Sequence, residues 1–124
     1  MKKLLILFLT ILSSCYYDNE EYLYPPGSGN CDTTNYTFSG VIFPLINDNC
    51  TSCHSGSAPQ GNVSLKDYTT ISVAADIPPG QYGSLYGVIS HNSGNSAMPK
   101  NGTQLSECNI LIVKKWIDAG KPDN

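Results

Sequence analysis

The five residues Cys50-Thr51-Ser52-Cys53-His54 decide the fold of this 124-residue chain. They form the pattern Cys-x-x-Cys-His, which is the attachment signature of a c-type haem. In that chemistry the two cysteine sulfurs add across the two vinyl groups of the porphyrin and form thioethers. The adjacent histidine then lies beneath the iron, where its imidazole serves as the proximal ligand. The motif therefore predicts one haem c, attached through Cys50 and Cys53 and ligated by His54.

The motif leaves the second axial ligand open. Met98 precedes Pro99 in a long loop, and its thioether is a soft ligand that stabilises ferrous iron. The only other methionine is Met1, at the start of a predicted signal peptide. We predict Met98 as the distal ligand, with His91, Lys100 or an open site as the alternatives.

The first 14 residues have the features of a lipoprotein signal peptide. A basic start, Met1-Lys2-Lys3, precedes an apolar run, Leu4–Leu12, that is shorter than the roughly 20 residues a membrane-spanning helix needs. The next residues, Leu12-Ser13-Ser14-Cys15, resemble a bacterial lipobox, in which the chain is cut before a cysteine that then carries lipid. We expect an exported protein that is lipid-anchored through Cys15 and faces the periplasm or the cell surface. An ordinary signal peptide with an unmodified cysteine is the alternative.

Residues 15–30 are predicted to be a flexible tether. They contain three acids and the stretch Pro25-Pro26-Gly27-Ser28-Gly29, and they show neither a helical nor a strand period. The globular domain is therefore expected to occupy residues 31–124.

The remaining cysteines predict a disulfide. Once Cys15 is assigned to lipid and Cys50 and Cys53 to haem, Cys31 and Cys108 form an even pair in an exported, oxidising setting. A bridge between them would close a loop of about 77 residues and stabilise the domain by about 4 kcal/mol. Two unpaired thiols are the alternative.

Hydrophobic spacing predicts an all-α domain of three to five short helices with long irregular loops. The clearest helix has Ser106 as its N-cap, a broad apolar face that places Trp116 in the core, and Gly120 as its stop. The predicted helices lie within Thr37–Asn49, Asp67–Ala75, Ser84–Ser90 and Ser106–Ala119.

The charge balance excludes one class of partner. The formal net charge is −3 and the chain has no Arg. No basic patch is therefore available for phosphates, and we expect no nucleic-acid binding. An acidic surface would instead attract redox partners with basic docking surfaces, weakly and in a salt-dependent way.

Over Thr37–Lys121 the chain resembles the cytochrome c family. The residues that carry the resemblance are the helix running into Cys50–His54, the Met98-Pro99 loop and the closing helix with Trp116-Ile117-Asp118-Ala119-Gly120. The chain resembles most the small monohaem domains of Bacteroidetes- and Planctomycetes-type lipoproteins.

The resemblance implies a small cytochrome c fold around one covalent haem and a function in electron transfer. It implies thioethers at Cys50 and Cys53, His54 as proximal ligand and Met98 as distal ligand. The chain departs from the family in having no Arg to pair with the haem propionates. Tyr, Trp, Lys or main-chain N–H groups would have to take that role.

Electron transfer needs no substrate chemistry, so we do not expect an enzyme. One alternative keeps the haem but leaves its distal side open to CO, NO or peroxide, with His91 as the candidate acid–base group. Another drops the haem and assigns Cys50, Cys53 and His54 to zinc or to a redox dithiol. Zinc prefers four convergent ligands, and a redox dithiol of the thioredoxin type needs a βαβ context that the chain lacks.

Overall fold

The structure, a computed structural model, describes residues 31–100 and 102–124. The predicted signal peptide (1–14), Cys15 and the tether (15–30) lie outside the described residues. Within the described part the chain is all-α, with helices and no strands, and Cys31–Asn124 forms one compact unit. None of the helices in this part is long and apolar enough to cross a membrane.

Two helical turns and five α-helices follow one another along the domain. In chain order they are a π-helical turn Phe38–Ile42, α1 Phe43–Asn49, α2 Thr51–His54, a 3-10 turn Gln60–Asn62, α3 Tyr68–Asp76, α4 Leu85–Ile89 and α5 Glu107–Asp118.

The first helical segment begins with the π-helical turn and continues into α1. The N–H of Phe43 bonds to the carbonyl of Phe38, five residues back. Pro44, which has no N–H to place in such a ladder, follows directly in the first turn of α1. The segment therefore passes Pro44 without a break and delivers the chain to Cys50.

Side-chain caps fix the starts of the three later helices. Asp67 and Thr70 form a capping box at α3, and the hydrogen bonds from Thr70 hold the pKa of Asp67 below its usual range. Ser84 accepts from the main-chain N–H of Gly87 at α4, and Ser106 caps α5 in the same way. The predicted starts of these helices are confirmed.

The C-terminal residues 121–124, here called the clasp, fold back over three elements. Gly120 and Lys121 both adopt positive φ after α5 and reverse the chain. The indole N–H of Trp116 then donates to the carbonyl of Pro122 at 3.0 Å. The hydroxyl of Tyr68 in α3 donates to the carbonyl of Lys121 at 2.7 Å.

The clasp also caps the first helical segment. The N–H of Phe38 donates to Oδ1 of Asn124 at 2.9 Å, and the N–H of Ser39 donates to the main-chain oxygen of Asn124 at 2.8 Å. Two N–H groups that have no partner within their own helix are thereby satisfied by a residue that is distant in sequence, 86 positions from Phe38.

The core is a single apolar cluster centred on Trp116, whose predicted core position is confirmed. Trp116 is fully buried and lies 5.8 Å from the ring of Phe38, which meets Tyr68 edge-on at 5.0 Å. The buried apolar residues are Phe38, Ile42, Ile46, Leu65, Ile71, Ala74, Ala75, Leu85, Ile89, Ile112, Val113 and Trp116.

Cys31 and Cys108 lie at disulfide distance. Their Sγ atoms are 2.09 Å apart and their Cα atoms 5.4 Å apart, within the usual range for a disulfide. The bridge joins the beginning of the described chain to the first turn of α5.

Candidate functional site

A cavity of about 580 Å³ lies between the Cys-x-x-Cys-His motif and the Met98 loop. This volume is within the range of cavities that bind cofactors. Much of the lining is aliphatic, from α3, α4 and the segments that precede α3 and α5: Val63, Leu65, Ala74, Leu85, Val88, Ile89 and Leu105. The cavity can therefore shelter a large apolar group from water.

The motif lines one side of this cavity. Cys50 is the C-cap of α1, and its N–H donates to the carbonyl of Ile46. It is also the N-cap of α2, which contains Cys53 and His54. Cys50 and Cys53 are free thiols, the first partly buried and the second exposed. Burial, assisted by the nearby Cys53, raises the pKa of Cys50 to about 11.

His54 has one ring nitrogen engaged by the main chain. Its Nδ1 lies 3.0 Å from the carbonyl oxygen of Val63. A carbonyl oxygen only accepts, so Nδ1 carries the proton and the lone pair of the neutral ring lies on Nε2. Metal-ligating histidines in proteins are oriented by this kind of bond. His54 lines the cavity, and the nitrogen with which it could ligate a metal ion is Nε2.

Met98 also lines the cavity, 44 positions further along the chain than His54. It is half-buried, and its N–H donates to the carbonyl of Val88 in α4 at 3.0 Å. The Met98–Pro99 peptide is cis. The structure thus brings Cys50, Cys53, His54 and Met98 to one cavity.

The alternatives to Met98 have different positions. His91 is exposed and is not a lining residue of the cavity, and its Nε2 lies 3.1 Å from the carbonyl of Met98. Lys100 does line the cavity.

The polar part of the lining is almost uncharged. Lys100 is the one lysine there, and none of the Asp or Glu side chains in the described residues lines the cavity. Tyr82, which is 78% exposed, closes part of the rim by donating from its hydroxyl to the carbonyl of Gly61 at 2.6 Å. Trp116 is not among the lining residues, and its N–H is already bonded within the clasp.

No family model, curated protein or solved structure matches this chain. Any assignment of function therefore depends on the geometry of the site.

Within residues 31–100 and 102–124, no three His, Cys, Asp or Glu side chains are grouped so that they could hold a metal ion. Cys50, Cys53 and His54 thus line one cavity without converging on a single point.

Three contacts of the site were not predicted from the sequence. They are the carbonyl of Val63 at His54, the hydroxyl of Tyr82 at Gly61, and the ring of His91 at the carbonyl of Met98. All three use a main-chain carbonyl, which every residue possesses, so no residue pattern indicates the acceptor.

Proposed function

We propose that the chain is a lipid-anchored monohaem c-type cytochrome that transfers electrons. The observation that carries the proposal is that one largely apolar cavity collects Cys50, Cys53 and His54 from one stretch and Met98 from another. Two distant parts of the sequence, the motif around helix α2 and the loop before Pro99, indicate these residues independently of any contact between them.

The chemistry of the lining fits a covalently held haem. Cys50 and Cys53 are free thiols, and they would hold the porphyrin through thioethers to its two vinyl groups. Such attachment would use the two sulfurs and the histidine at separate points of the group. Three side chains that share a cavity without converging suit this requirement better than they suit a zinc tetrahedron.

His54 would hold the iron from one side. Its bond to the carbonyl of Val63 fixes the ring orientation and leaves Nε2 as the ligating atom. This hydrogen bond also makes Nε2 a stronger electron-pair donor to a metal, because the proton on Nδ1 is shared with an acceptor.

Met98 would hold the iron from the other side. A thioether ligand favours ferrous iron and raises the reduction potential, and so does an apolar lining that excludes water. When bound, the haem supplies the one-electron couple, and the protein supplies ligands, burial and orientation. Electron transfer needs no bound substrate, so the proposal includes no enzymatic activity.

Lys100 is the best-placed partner for a haem propionate in this arginine-free chain. It is the one lysine among the described residues that line the cavity. The hydroxyl of Tyr82 and the amides of Asn49, Gln60 and Asn95 are neutral donors in the same lining. The acids that would attract basic redox partners lie elsewhere on the described surface.

The five-coordinate alternative has less support. Peroxide chemistry would need a distal acid–base group, and the candidate for it was His91. That residue is not in the cavity lining, and its ring is bonded to the carbonyl of Met98.

Absorption spectra of the mature protein test the proposal. Met98→Leu removes the thioether while keeping a similar apolar volume. We expect the ferric wild type to show the weak far-red band of methionine–iron ligation and the ferrous wild type to bind CO slowly. The Leu variant should lose the band and bind CO rapidly.

A matched control is Val88→Ala, which enlarges the same cavity without removing a ligand. It should retain the band. A colourless mature protein would refute haem attachment, and a high-spin wild type that takes up CO at once would move the assignment to the five-coordinate alternative.

A further inference from the structure

We infer that His91 is a positioning residue that holds Met98 over the cavity by donating from Nε2 to the Met98 carbonyl. The distance is 3.1 Å, and the carbonyl can only accept, so the ring nitrogen is the donor. The inference rests on the proposed function, because it gives His91 a role only if Met98 ligates the iron.

The main chain of Met98 is held on both sides. Its N–H donates to the carbonyl of Val88, within α4, and its C=O accepts from His91, just beyond the end of that helix. The intervening loop 92–97 is thereby closed at both ends against α4. Because both main-chain polar groups of Met98 are hydrogen-bonded, its side chain extends from a fixed backbone position.

Few residue types suit the backbone conformation at position 91. Its φ of 55° lies in the left-handed region, which among non-glycine residues is populated mainly by Asn, Asp and His. Of these, His reaches furthest with a donor nitrogen. The side chain is exposed, so the ring contributes little to the core and its described polar contact is the one to Met98.

Loss of this bond should release Met98 more often from the iron. One hydrogen bond of ordinary net strength corresponds to about threefold to tenfold in an equilibrium. In the ferrous protein, CO can bind only when Met98 has left, so at low CO concentration the rate of CO binding is proportional to the released fraction and should rise by the same factor.

Two variants separate the hydrogen bond from the backbone conformation. His91→Gly tolerates positive φ but removes the donor, whereas His91→Gln keeps an amide donor at a similar reach and bears the strain of a positive φ. We expect the Gly variant of the mature protein to bind CO about threefold to tenfold faster at low CO concentration, with a weakened far-red ferric band. The Gln variant should bind CO more slowly than the Gly variant and keep a stronger far-red band.

The outcomes distinguish this inference from the proposed function. If Met98→Leu accelerates CO binding but His91→Gly does not, Met98 ligates and the inference is wrong. A Gln variant as fast as the Gly variant would also overturn it, since the donor would then not matter. If Met98→Leu itself has no effect, the ligand assignment fails and the inference falls with it.

Discussion

Ending the chain at Lys121 would remove most of the clasp and should destabilise the domain strongly. Residues 122–124 accept three hydrogen bonds: the indole N–H of Trp116 at 3.0 Å, the N–H of Phe38 at 2.9 Å and the N–H of Ser39 at 2.8 Å. At about 1 kcal/mol each, their loss should lower the free energy of unfolding by about 3 kcal/mol. For a domain of this size, that corresponds to roughly 12 to 24 °C in Tm.

Urea and thermal unfolding of the mature protein would measure this change. Asn124→Ala should produce only about a third of this destabilisation, because it removes the acceptor for Phe38 while the main-chain oxygens still accept from Ser39 and Trp116. Asn124→Asp is the matched control, since it keeps an acceptor for Phe38 and adds a negative charge at a helix N-terminus. None of residues 122–124 lines the cavity, so the native spectrum should not change. A truncated chain within about 1 kcal/mol of wild type would refute the reasoning.

Three further predictions concern the caps and the thiols. Ser84→Ala should lower the free energy of unfolding by about 1 kcal/mol, because the buried hydroxyl accepts from the N–H of Gly87; an unchanged urea midpoint would contradict this. The hydrogen bonds from Thr70 hold the pKa of Asp67 below its ordinary 3.8. The contribution of this carboxylate to folding stability is therefore complete above that pH and is lost as the pH falls through the lowered value. Asp67→Asn caps without titrating, and the stability difference from wild type should change only below about pH 4. Alkylation of the reduced, denatured mature protein should spare Cys50 and Cys53. In a folded chain without haem, alkylation under native conditions should modify the exposed Cys53 first, because burial raises the pKa of Cys50 to about 11.

Helix positions were predictable where capping chemistry and apolar spacing coincide. Ser84 and Ser106 mark the starts of α4 and α5, and Gly120 marks the end of α5, because short-range hydrogen bonds and positive φ decide those boundaries. The start of the first helical segment was harder. Its cap is Asn124, whose contact with Phe38 depends on the tertiary fold rather than on neighbouring residues.

The residues predicted for the site all line one cavity, but the contacts that support them were not predictable. Cys50, Cys53 and His54 follow from a specific spacing, and Met98 follows from the chemistry of its sulfur. His91 lies outside the cavity lining, and its hydrogen bond to the carbonyl of Met98 could not be predicted, since a contact with a main-chain carbonyl leaves no pattern in the sequence.

The link between Cys31 and Cys108 has a mechanical consequence. Every residue that lines the cavity lies between positions 49 and 105, inside the covalent loop that this link closes. A pull applied to the chain before Cys31 and after Cys108 therefore passes from one sulfur to the other and bypasses the loop. Such a force would load α5 and the clasp, while the main chain around the cavity would carry no tension.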